Sequence, residues 1–389
     1  MSAVLRAIHD SPVERARRLA AAFAERAAEH DRDASFPFEN FDRLFDAGLL
    51  TLALPRDLGG AGAAVSELAQ VIAAIGSGEP ATALVLVMQY MQHRGFVRPA
   101  PAAGWPPHLA QRLARDALER VSLTNALRVE PELGSPARGG LPATTARRTA
   151  EGWRLSGRKI YSTGAPILRW YLVWARTDDD APRVGALLVP AGAPGIQIEP
   201  TWDHLGLRAS GSHDVVFEDV PVPFDHAIDL RAPEAWAAPD AAQSAEMTLL
   251  LGSLYDGIAR SAAAWLARFL RERVPASLGR PLAELPRFQE AVGAIEARLL
   301  NNRRLLDSLA RDIDAGAPPP GSDSGLIKLI VTGNAIAAVE AAVELSSNHG
   351  LSRRNPLERH LRDVLCARVH TPQDDSVKLA TGRRALAAA

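Results

Sequence analysis

Two imidazoles, a hydroxyl-rich turn and a single thiol are the side chains of this sequence whose types suit them to chemistry. His93 closes an apolar helical run that begins at Pro80, and His370 opens the string His370-Thr371-Pro372-Gln373-Asp374-Asp375. An imidazole exchanges its proton near neutral pH, which suits proton transfer, although a His at a helix end is more often a surface residue. Arg208, Ser210 and Ser212 share one segment between strand-like runs; such a segment is either a plain turn or a ligand contact. Cys366 stands in the helical pattern Val364-Leu365-Cys366-Ala367, so a buried thiol is expected rather than a nucleophile. The glycines of Leu58-Gly59-Gly60-Ala61-Gly62 look like a phosphate loop. A dinucleotide fingerprint needs a preceding strand and a βαβ unit, however, and helical patterns flank these glycines.

The elements that must hold these groups come in two textures. Residues 153–226 carry strand periodicity, as in Trp170-Tyr171-Leu172-Val173-Trp174, Val184-Gly185-Ala186-Leu187-Leu188-Val189 and Val215-Val216-Phe217, while both flanks are Ala- and Leu-rich with helical spacing. The fold expected is mostly α with a central β-domain. Its parts are an N-terminal helical domain over 1–117, a β-barrel-like sheet domain over 118–232 whose first strand is 121–124, and a C-terminal four-helix bundle over 233–389. Within the last, helices are expected over 245–273, 285–315, 324–347 and 358–367.

Bulk properties exclude several classes. A chain of 389 residues that is 47% hydrophobic can bury the cores of two or three domains. Its 44 basic and 45 acidic residues leave a net charge of −1, so no electrostatic footprint for nucleic acid or an anionic membrane exists. The longest apolar run, 81–88, is too short to span a bilayer, and no membrane insertion is expected. One cysteine rules out an internal disulfide framework and an all-cysteine metal site, and no metal is expected. The first residues, Met1-Ser2-Ala3-Val4-Leu5-Arg6, lack the apolar core of a secretory signal, so a reducing, cytoplasmic location is the expectation.

Two motifs carry a resemblance. Gly157-Arg158-Lys159-Ile160-Tyr161-Ser162-Thr163-Gly164, with Leu205-Gly206-Leu207-Arg208-Ala209-Ser210-Gly211-Ser212 leading to Val216-Phe217-Glu218-Asp219-Val220-Pro221-Val222-Pro223, resembles the acyl-CoA dehydrogenase superfamily of flavoproteins over nearly the whole chain. The resemblance implies FAD as cofactor, or FMN in its place. It implies that Thr124 meets the pyrimidine end of the flavin, that Ser135, after Gly134, meets a phosphate, that Tyr161 covers one face of the ring and that Thr163 bonds its reactive nitrogen. Arg273 resembles the arginine lent to a neighbouring subunit's flavin, with Arg268 and Arg271 as competitors, and a homotetramer or homodimer is implied. The substrate would be a small molecule, an acyl-CoA thioester among the candidates, with an electron acceptor or a flavin reductase as partner.

The same resemblance also exposes departures. Counting from Arg362-Asp363, the family's glutamate base falls on Thr371. Glu246 lies one residue from an alternative base position, about 100° around a helix. Glu344 and Ser347-Asn348 replace a Gln and a glycine pair in a segment that holds the adenine half, and Gly350 persists. A monooxygenase branch of the superfamily dispenses with the base and works through a flavin hydroperoxide; His370 and His93 would be its catalytic groups. Three readings follow: a flavin oxidoreductase of acyl-CoA dehydrogenase type using Glu246, a flavin monooxygenase or N-hydroxylase using the two histidines, and a flavoprotein scaffold without turnover.

Overall fold

The computed structural model describes residues 10–96, 105–133, 140–236 and 240–387. Among these, six helices precede the sheet. α1 (Pro12–Ala24) starts where Ser11 and Glu14 cap each other's backbone amides and Pro12 supplies a helical φ. α2 (Ala27–Asp33), α3 (Phe38–Asp46), α4 (Val65–Gly78), α5 (Pro80–Gly95) and α6 (Pro107–Glu119) follow. α5 is apolar nearly all round and therefore buried. The carboxylate of Glu79 caps it, accepting from the amides of Ala81 and Thr82.

The strands are β1 (Leu123–Leu127), β2 (Thr145–Arg148), β3 (Trp153–Lys159), β4 (Leu168–Thr177), β5 (Val184–Pro190), β6 (Ile196–Glu199), β7 (Asp214–Val222) and β8 (Ala227–Arg231). They form one sheet in the order β6-β7-β3-β2-β4-β5-β8, with β1 beside β4. The first strand begins two residues later than 121–124. It pairs parallel with β4, setting Asn125 opposite Tyr171 and Leu127 opposite Val173, and this long-range register, not local propensity, fixes its ends. Glu130, in the loop beyond, accepts from the amides of Ala143 and Thr144 and from buried Lys159 at 2.6 Å. That pair ties the loop to β3, and burial lowers the lysine's pKa to about 8 against the pull of Glu130.

Five helices complete the described chain: α7 (Ala241–Glu272), α8 (Pro286–Asp314), α9 (Gly321–Ser346), α10 (Leu357–Leu365) and α11 (Asp374–Ala387). The last has no counterpart in the sequence expectation, since its face buries only Val377 and leaves little periodicity to detect. α9 is long and apolar enough to cross a bilayer by length and composition alone. Its Val331, Ala335, Ala338, Val339 and Ala342 are instead buried in the core. One continuous apolar core joins both helical parts and the sheet.

The three parts meet at one polar junction. Arg362 of α10 holds Asp31 of α2 through two bonds of 2.8 and 2.6 Å and donates to the carbonyl of Leu205. Arg208 donates to the Asp31 carbonyl at 2.8 Å, and Asp363 accepts from the amide of Leu207 at 2.7 Å. Gly206 is required because a β-carbon there would lie 2.3 Å from the Arg362 carbonyl oxygen. Gly206→Ala should therefore lower the unfolding free energy by about 2–4 kcal/mol. Gly192→Ala, where nothing lies within 4 Å, should cost under about 0.5 kcal/mol. Urea denaturation of both variants checks the difference, and equal midpoints would show that the junction tolerates displacement.

Candidate flavin and substrate site

The hydroxyls of the second motif form an oriented chain. Ser212 Oγ donates to Thr163 Oγ1 at 3.1 Å, so its other contact, with Ser210 Oγ at 2.8 Å, must have Ser210 as donor. Thr163 is left with its own proton to donate. Asn125 Nδ2 donates to the Thr163 carbonyl, which places β1 against this turn, and a β-carbon on Gly164 would lie 3.0 Å from Val85 of α5. Beside it, Ser162 Oγ is buried and has no partner among the described residues. A terminal donor next to an orphaned hydroxyl fits a polar ring edge, as the flavin resemblance requires.

Tyr161 is not a strand residue packed in the sheet. β3 ends at Lys159, and Tyr161 takes a left-handed φ of 55° with 53% of its surface exposed. Its ring stands edge-on to Trp202 and His204, which stack on each other with centroids 3.7 Å apart. Left-handed backbone at a tyrosine costs about 1 kcal/mol and persists only where surroundings impose it. Arg208 serves the junction described above, whereas Ser210 and Ser212 serve Thr163.

The two histidines are held in defined protonation states. Gln89 Oε1 accepts from the Thr124 amide at 2.8 Å, and Gln89 Nε2 donates to the Ser122 carbonyl and to His93 Nε2. With Nε2 an acceptor, the single proton of a neutral His93 sits on Nδ1, which is buried without a partner among the described residues. Burial lowers the His93 pKa to about 3. His370 is half-buried, and the hydroxyl of Tyr255 lies 2.5 Å from its Nδ1. Burial raises the Tyr255 pKa well above its ordinary value, so the phenol donates, Nδ1 accepts and Nε2–H remains a donor. Burial, helped by the charge of Lys328, lowers the His370 pKa to about 4. Lys328 also spans the segment bearing His370, donating to the Ala367 carbonyl and to Asp374.

Other sequence candidates lie apart. Glu246 is buried on α7, and its Oε1 receives Arg94 Nη2 at 2.8 Å and Nε at 3.3 Å. Nine positions separate it from Tyr255. At 100° and 1.5 Å per residue the two leave opposite faces of α7 about 13 Å apart, so Glu246 and His370 do not converge. Arg273 is exposed just past the end of α7, about 27 Å along the axis from Tyr255. Ser135 and Gly134 lie outside the described residues. Cys366 is half-buried, its thiol pushed up to about 12 mainly by burial. A cavity of about 360 Å³ is lined by Asn348, His349 and Arg354 among others. It adjoins Ser347, which keeps a left-handed φ of 53° where the family resemblance has glycine.

Sequence reasoning missed Gln89, Arg94, Asn125, Tyr255 and Lys328. Only Gln89 left a signal, its spacing of four to His93 on one helix face.

Three domain descriptions of one family match this chain in order: acyl-CoA dehydrogenase N-terminal domain over 9–95, middle domain over 128–220 and C-terminal domain over 249–374. The chain belongs to the acyl-CoA dehydrogenase family. It is thereby an oxidoreductase-class flavoprotein. YdbM of Bacillus subtilis, provisionally named an acyl-CoA dehydrogenase, is 31% identical over 94% of each chain. The amino sugar nitrososynthase DnmZ of Streptomyces peucetius is 30% identical over 86% of this chain and 83% of its own. The solved structure of KijD3 with FMN and dTDP-3-amino-2,3,6-trideoxy-4-keto-3-methyl-D-glucose is 27% identical, with a TM-score of 0.85 over 97% of this chain and 93% of its own. The expectation of FAD, with FMN as the alternative, agrees with that neighbour.

Two measurements test the histidine states. Tyr255→Phe removes the donor to Nδ1, so the His370 pKa should rise by about one pH unit, read by NMR titration of the imidazole. An unchanged value would show that burial and Lys328 alone set it. His93 titrates at about 3 when folded against about 6.5 unfolded. Acidification through that window therefore favours the unfolded chain, which takes up the proton, and the contribution is whole only above pH 6.5. His93→Gln should shrink the loss of unfolding free energy between pH 7 and pH 5 by about 1–2 kcal/mol, as urea titrations at the two pH values would reveal.

Proposed function

We propose that this protein is a flavin-dependent monooxygenase acting on a heteroatom of a small molecule, an amine nitrogen foremost. One observation carries the reading. Beside Thr371, where the family resemblance places a glutamate base, stands the neutral imidazole of His370, its Nδ1 taken by Tyr255 and its Nε2–H left to donate. An N–H donor of this kind is suited to holding an oxygen that gains negative charge and unsuited to removing an α-proton. His93, with Nδ1–H unpartnered among the described residues, offers a second such donor. Glu246, the remaining carboxylate candidate, has Oε1 engaged twice by Arg94.

The overall change balances as amine, O2 and reduced flavin giving hydroxylamine, water and oxidised flavin. One oxygen atom forms the N–O bond and the other leaves as water. Reduced flavin, FAD or FMN, supplies the two electrons, and a flavin reductase would replenish it. Thr163, fed by Ser210 and Ser212, would hold the polar edge of the ring, Tyr161 would shield a face from water, and the amide network of Gln89 and Thr124 would fix α5 against it. Arg273, too distant for this pocket, would serve that of a neighbouring copy in a homodimer or homotetramer. An amine substrate is supported by two relatives, DnmZ being named for an amino sugar and KijD3 being solved with an amino sugar nucleotide.

The second reading, dehydrogenation of an acyl-CoA with Glu246 as base, is favoured by that carboxylate's burial and by the name of YdbM. Anaerobic titration of the flavin-loaded protein with a panel of acyl-CoAs separates the two. No bleaching is expected, whereas chemically reduced protein given oxygen and an amino sugar nucleotide should yield hydroxylamine, at least tenfold less in His370→Ala. Bleaching by any acyl-CoA, abolished by Glu246→Gln, would establish the dehydrogenase instead.

A further inference from the structure

A second cavity, of about 500 Å³, opens at the far end of the sheet. It lies where β2 ends at Arg148 and β3 begins at Trp153, six residues and so about 20 Å from Lys159, beyond which the Thr163 turn begins. Nothing in the flavin site uses it. Arg148, Arg183 and Arg231 contribute three guanidinium groups to its lining, against the single carboxylate of Asp229. Arg231 is paired with Asp229 at 2.6 Å and lies over Trp236 at 3.7 Å. Arg148 lies over Phe224 at 4.8 Å and over Trp153 at 5.9 Å. Neither Arg148 nor Arg183 has a carboxylate partner among the described residues, so the lining carries an excess of two positive charges.

Two independent features mark the cavity as more than a dent between surface arginines. Among the described residues, eleven buried side-chain polar atoms lack a partner, and three of them, Trp153 Nε1, Asp229 Oδ1 and Arg231 Nε, belong to residues lining this one cavity. Buried polar atoms are usually satisfied, and a local cluster of exceptions points to a missing partner. The backbone is also irregular here. The register of β5 against β8 shifts between Val184 and Ala186, and Asp229 takes a left-handed φ of 55°. Bulges of this kind bend a strand and re-aim its side chains, and they gather at functional edges.

We propose that this cavity is a second ligand site, separate from the flavin end, which binds a phosphate-bearing small molecule. Arg148 and Arg183 take the phosphate oxygens, as the fork of a guanidinium matches two of them. Two unpaired positive charges match a phosphate dianion, while a single carboxylate would leave one uncompensated. Trp153 and Phe224 give the attached group an apolar wall.

The test uses full-length protein saturated with flavin, so that the flavin site cannot take up the probe. Inorganic pyrophosphate is titrated in by calorimetry at low ionic strength. Saturable binding is expected, weakened by salt, and weakened about tenfold by Arg183→Ala and again by Arg148→Ala, with flavin content unchanged in both. Arg183 is exposed, so its replacement is not expected to disturb folding. Absence of saturable binding, or binding by both variants equal to that of the unaltered protein, overturns the site. Succinate binding as tightly as pyrophosphate overturns the phosphate assignment.

Discussion

Arg362 and Asp31 stand 331 positions apart in the chain yet form a two-pronged ion pair, and around it an N-terminal helix, a sheet-domain loop and a C-terminal helix are drawn together. The geometry of a guanidinium facing a carboxylate permits little rotation, so the pair fixes the angle at which these parts meet. Gly206, Leu207 and Arg208 then have no freedom to drift, since each touches either the α10 backbone, Asp363 or Asp31. Downstream of that anchored loop lie Ser210 and Ser212, and their hydroxyls orient Thr163. The order of the site therefore begins at a contact that takes no part in chemistry. Asp363 shows what the junction costs. Its pKa is raised to about 7, chiefly by burial, with the Leu207 amide pulling the other way.

Burial lowers the pKa of both His93 and His370. Removing an imidazole from water disfavours its charged form, and once it is neutral the question becomes which nitrogen keeps the proton. Gln89 answers for His93 and Tyr255 answers for His370, each by occupying one nitrogen. The result is two imidazoles of like charge state but opposite tautomer, one donating from Nδ1 and the other from Nε2. A family built around a carboxylate base thus has, in this chain, hydrogen-bond donors at hand. The dehydrogenase and monooxygenase readings divide on that physical difference.

Much of the architecture is legible in the sequence. Strand alternation in 170–174 and 184–189, and the apolar periodicity of 245–273 and 285–315, announced the sheet and the long helices because one buried face imposes a period on the residues that form it. The first strand was misplaced because its ends depend on pairing with β4, a contact across more than forty residues. α11 was missed because a helix that buries one residue leaves no pattern. Tyr161 follows closely on a strand, and only its left-handed backbone and exposure set it outside the sheet.

By itself the sequence determined the family and the absence of a glutamate at position 371, because these depend on residue identity and short-range order. Tertiary structure alone decided what surrounds the candidate groups. Tyr255 and His370 are 115 residues apart, Arg94 and Glu246 are 152 apart, and no local pattern records that one pair forms while the other closes off a carboxylate. Partners, tautomers and burial are properties of how distant segments pack, and they exist only once the chain has folded.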